Sequence, residues 1–129
     1  KVRDANGFNH NLFDTIRGAT FRLMSNNTNA HDSNGQMSSF DANGFTVGPG
    51  GGDANPTQSM VAWNWKGGGD AVNIGVNSIT GSTPSIASDV SANTAAGFSI
   101  AKVTFNTSSP QTVAHGLSSA PEWIISKRI

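Results

Sequence analysis

The chain has 129 residues, eight Lys+Arg against eight Asp+Glu, zero formal net charge and a charged share of 12%, about half the roughly 25% usual for soluble proteins. Four Lys and four Arg scattered along it offer no basic patch for phosphates, no run of 18 apolar residues supplies a transmembrane helix, and no N-terminal apolar stretch marks a signal peptide. The absence of Cys removes disulfides, thiolate catalysis and Cys-ligated zinc together.

Gly, Ser, Asn and Thr make up 56 of the residues, and Leu occurs three times against eight Val, eight Ile and seven Phe. This composition suits turns and pleated surfaces better than helices and predicts an all-β fold. Short alternating segments separated by turn residues predict half-buried antiparallel strands over 11–16, 20–24, 36–40, 44–47, 59–65, 98–106, 111–113 and 123–126. Only 13–17 suits a helical turn, which Gly18 would end. Within it, a contact of Arg17 with Asp14 or with backbone explains both charges better than a ligand site does. In 59–65 the alternation puts Val61, Trp63 and Trp65 on one face, predicting core or a subunit interface; stacking on a sugar ring is the functional alternative.

Residues 1–69 read as the first part of a β module, 70–96 as a polar connection with short strands, and 97–129 as closing strands that run into a following module. The triplets Gly50-Gly51-Gly52 and Gly67-Gly68-Gly69 are loop-length. One motif occurs three times, as Asp4-Ala5-Asn6-Gly7, Asp32-Ser33-Asn34-Gly35 and Asp41-Ala42-Asn43-Gly44, with Phe8 and Phe45 following the first and third. The chemistry of Asp, Asn and Gly predicts tight turns, with Gly taking positive φ and each Phe delivered to the core. Calcium at these turns is the functional alternative, although no Glu stands where it would close an EF-hand loop. No other cofactor is expected.

His10, His31 and His115 show no metal-binding spacing, and no Gly-x-Ser-x-Gly elbow is present. Glu122, the sole Glu, reads as a surface acid at a strand start; glycoside hydrolysis would need two Asp such as Asp14, Asp41 or Asp53 across a cleft. No enzyme activity is expected. His115, in the loop before Pro121, is placed to cap a turn or face a neighbouring subunit.

Longer phrases resemble a known family. Leu12-Phe13-Asp14-Thr15-Ile16-Arg17-Gly18-Ala19-Thr20, Ser39-Phe40-Asp41-Ala42-Asn43-Gly44-Phe45-Thr46-Val47-Gly48 and Val61-Ala62-Trp63-Asn64-Trp65-Lys66 are similar to a repeated module in large structural proteins of tailed bacteriophages, marine ones especially. Ser91-Ala92-Asn93-Thr94-Ala95-Ala96-Gly97-Phe98-Ser99-Ile100 and the closing stretch from His115 through Trp123 to Arg128 fit the same pattern. The resemblance implies an antiparallel β-sandwich, jelly-roll, lectin-like or laminin-G-like, in a tail fibre, spike or related virion appendage. It further implies a structural role in assembly and in presenting the host-contact surface, on the extracellular phage particle. The expected partners are further copies of the chain, as a homotrimer, and other virion proteins, with no nucleic acid and no membrane insertion. The alternative is a receptor-recognition module for host surface glycans. Trp63, Trp65, Trp123, His115 and Asn64 are the residues expected to contact a glycan or a subunit. Lys1-Val2-Arg3 and Lys127-Arg128-Ile129, 126 positions apart, predict that the chain is about one period of a longer repeat.

Overall fold

The computed structural model describes residues 7–33, 36–49, 53–54, 59–79 and 83–129. The all-β expectation is borne out: the described residues hold seven strands and no helix, and every strand pair is antiparallel. The strands are β1 (Asn11–Leu12), β2 (Leu23–Met24), β3 (Met37–Asp41), β4 (Gly44–Val47), β5 (Val72–Ile74), β6 (Ser88–Asn93) and β7 (Phe98–Val103). They pair as β1-β2, β3-β4 and β5-β6-β7. The chain divides into two compact units, Lys1–Asn64 with Ile125–Ile129, and Trp65–Ile124.

In the first unit, β1 and β2 flank two turns: the Gly18 N–H donates to the Asp14 carbonyl at 3.1 Å, the helical turn expected there, and the Phe21 N–H donates to the Gly18 carbonyl at 3.2 Å. Beyond β2 the chain is held by Arg22 and Asp32, which exchange both backbone hydrogen bonds, at 3.0 and 3.2 Å. Leu23, Met24, Met37 and Ala54 are the buried apolar side chains described here.

The hairpin β3-β4 forms the third Asp-x-Asn-Gly turn, with Asp41 opposite Gly44 and a register shift between Met37 and Ser39. Two expectations fail in it. Neither Asn43 nor Gly44 takes a positive φ, and Phe45, opposite Phe40, is exposed, as is Phe40. Side chains reinforce the hairpin: the Asp41 carboxylate accepts from the hydroxyls of Ser39 and Thr46, both at 2.7 Å. These two bonds, Thr46 foremost, hold the Asp41 carboxyl below its ordinary value. The other two copies, at 4–7 and 32–35, and the run 50–52 lie wholly or partly outside the described residues.

The second unit is built around β6, which carries Ser88, Val90 and Ser91 buried. Its alternating faces are covered by two loops. On one face Ser91, only 1% exposed, accepts from the Gly68 N–H at 3.0 Å and donates to the Gly69 carbonyl at 2.8 Å. Asn93 adds a bond to the Lys66 carbonyl at 3.2 Å. The glycine run lies so close that a Cβ on Gly68 would overlap the Ala92 backbone. On the other face Gly116, at φ 70°, packs where a Cβ would meet Val90 and Ala92, and Ser88 donates to the Ala114 carbonyl at 3.4 Å. A middle strand covered on both faces by near-bare backbone explains how small polar residues form the centre of this unit.

Candidate functional site

The residues expected to make contacts fall on both units. Residues 61–68 carry no regular secondary structure, and the strand expected over 59–65 does not form there. Alternation marks which side chains would share a face but does not supply a continuous ladder, and around Lys66 the chain is tied by the side chains of Asn93 and Ser91. Val61, Trp63 and Trp65 are therefore not core: they are 54%, 68% and 61% exposed. Asn64 is exposed as well.

Trp65 lies beside Phe98, the rings 6.2 Å apart and 20° from parallel, a stacked pair that steadies it while leaving most of its surface open. Trp123 is 76% exposed and Ile124 and Ile125 follow it outward, with no strand over 123–126. His115 is half-buried, and its Nδ1 accepts from the Leu117 N–H at 3.1 Å, the turn-capping one of the two roles expected for it. In the second unit the chain thus displays Trp65 and Trp123, and in the first Trp63 with Met60 and Val61.

Asp14, Asp41 and Asp53 are each engaged by hydrogen bonds within the protein. Asp14 bonds the Arg17 backbone N–H at 2.9 Å and its Nε at 2.6 Å, as expected, while that guanidinium also donates to the carbonyls of Phe21 and Leu12. Asp53 accepts from the Asn9 backbone and side chain, both at 2.9 Å, and from Arg22 at 2.7 Å. Arg22 in turn grips Asp32 with two donors, at 2.8 and 3.1 Å.

No sequence motif announces the Arg22 cluster. Its members lie up to 44 positions apart, and the only local signal was an Arg inside an otherwise apolar strand pattern. Burial by itself would raise the Asp53 carboxyl; the Asn9 hydrogen bonds and the Arg22 charge outweigh it and leave Asp53 below its ordinary value. Among the described residues no three His, Asp or Glu side chains converge as a metal cage, and no helix is long and apolar enough to cross a membrane.

The family model described as Domain of unknown function (DUF7483) matches residues 1–129, and the chain belongs to that family. No curated protein and no solved structure matches it.

Proposed function

We propose that this chain is a structural module of a tailed-bacteriophage appendage, a tail fibre, spike or related surface protein of the extracellular particle. It acts in assembly and in presentation of the host-contact surface, without catalysis of its own. Stacking of its antiparallel sheets into a lectin-like or jelly-roll sandwich belongs to the same proposal, as does a homotrimeric state. The observation that carries it is the exposure of Trp63, Trp65 and Trp123, each more than 60% open.

A Trp contributes roughly 150–250 Å² of burial, and with more than 60% of each still open these side chains keep most of that area for a partner to cover. The described core is small in comparison: Leu23, Met24, Met37, Ala54, Ile86, Val90 and Ala114. A protein with little apolar material inside and large aromatics outside gains stability when another chain covers them. The low charge supports the same reading, because few charges must then be desolvated at the interface.

Sedimentation and acrylamide quenching of tryptophan fluorescence test the proposal together. The expected result is a concentration-dependent trimer in which quenching falls as the trimer forms. A chain that stays monomeric into the hundred-micromolar range, with all three Trp open to quencher, would refute it. Trp63 with exposed Asn64 beside it is the pairing that the glycan-receptor alternative requires. A glycan-array hit lost in Trp63→Ala, from a protein that does not self-associate, would favour that reading.

A further inference from the structure

One face of the three-stranded sheet is only half covered. Where β6 reaches Ser91, the run Gly67-Gly68-Gly69 roofs it. Two residues earlier, on the same face, Asp89 lies in an open row with its cross-strand partners Asn73 on β5 and Lys102 on β7. A cleft of about 390 Å³ opens there, lined by this row with Thr104, Asn106, Val76 and Ile86 among others, and it lies within the roughly 300–1,000 Å³ range of small-molecule sites.

The polar groups of this cleft are partly pre-arranged and partly unspent. The Asn73 amide donates to one Asp89 oxygen at 2.8 Å, which orients the carboxylate and leaves its second oxygen and the Asn73 carbonyl without a partner among the described residues. Gln111 donates to the Asn106 carbonyl at 2.7 Å, which turns the Asn106 amide nitrogen into the available group. Lys102 stands opposite Asp89 in register, yet no ion pair joins them. Acceptors from Asn73 and Asp89 thus stand beside donors from Lys102 and Asn106, and the Thr104 hydroxyl does either.

We propose that this cleft binds a neutral saccharide through a pair of neighbouring hydroxyl groups. A hydroxyl donates and accepts at once, so a diol satisfies a mixed row of carboxylate, amide and ammonium groups that a pure donor or pure acceptor would not. One carboxylate beside one ammonium leaves the cleft without net charge, which disfavours phosphates and sugar acids; a single carboxylate is too few ligands for a hard cation. Val76, exposed at the cleft, supplies apolar surface for the C–H face of a pyranose ring. The proposal is independent of the assembly reading and places sugar recognition away from the tryptophans.

Titration of the full ¹⁵N-labelled chain with D-glucose, D-mannose, D-galactose and N-acetyl-D-glucosamine tests it, with D-glucuronate and inorganic phosphate as separate arms. At least one neutral sugar is expected to give saturable, roughly millimolar shifts in the amides of Asn73, Asp89, Lys102, Thr104 and Asn106. Asp89→Ala is expected to weaken binding about tenfold or more. The exposed Thr104→Ala, which disturbs no described hydrogen bond, gives a second reading should Asp89→Ala unfold. Shifts confined to Trp63, Trp65 and Trp123, saturation by the anions alone, or no saturable shift with any neutral sugar would overturn the proposal. Oligomeric state, measured on the same sample, reports on the assembly reading separately.

Discussion

Two arginines show how differently placed charges are held. Arg17 meets Asp14 three positions away inside one turn, and the spacing makes that contact readable from the chain. Arg22 is 8% exposed and meets Asp53 across 31 positions, a contact that only long-range folding creates. Removing Asp53 leaves Arg22 buried with the partly open Asp32 as its remaining carboxylate. Asp53→Ala is therefore expected to cost about 2–3 kcal/mol, checked by urea unfolding. The same group sets a pH response. Its carboxyl ionises below the ordinary 3.8 when folded, so the unfolded chain binds more protons near that pH. The stabilisation is complete above the ordinary value and is lost as pH falls through the folded one. Denaturation midpoints should hold steady down to about pH 5 and fall below about pH 4, with a shallower fall in Asp53→Asn.

Strands and turns were legible where their cause is local. β4 matches its expected bounds, Gly44–Val47, and the expected 36–40 strand differs from β3 by one residue at each end. These hairpin strands have a partner only two residues away, so alternation and turn chemistry suffice. The strand expected over 59–65 had the clearest alternation of all and is absent, because alternation alone does not supply the run of paired backbone that a strand needs. Glycines invert in the same way. Gly44, in a turn motif, has neither positive φ nor a neighbour within 4 Å, whereas Gly68, in a bland triplet, lies against the Ala92 backbone. Gly44→Ala should leave stability within about 0.5 kcal/mol. Gly68→Ala should cost about 3 kcal/mol by forcing the loop off β6, and Gly116→Ala should also destabilise because it adds a contact at 2.9 Å to a left-handed backbone. Thermal melts of the three variants compare them directly.

For the whole molecule, the chain returns to its first unit at the end. Ile125–Ile129 groups with the residues up to Asn64, and Lys127 Nζ donates to the Asn27 carbonyl at 2.6 Å across 100 positions. Deleting residues 125–129 is expected to lower amide-exchange protection at Leu23 and Met24 more than at Val90, by loss of this tether. The sequence by itself determined the all-β character, the 40s hairpin and the Asp14–Arg17 turn, since each arises from composition, period-two patterning or partners within a few residues. Only the tertiary structure decided that the tryptophans stand outside, that Arg22 gathers Asp32 and Asp53, and that a glycine triplet roofs half of one sheet face and leaves the rest as a polar cleft. These depend on which distant backbones meet, and the loop-closure entropy of contacts 20 to 100 residues apart is overcome by the fold as a whole and not by any local pattern.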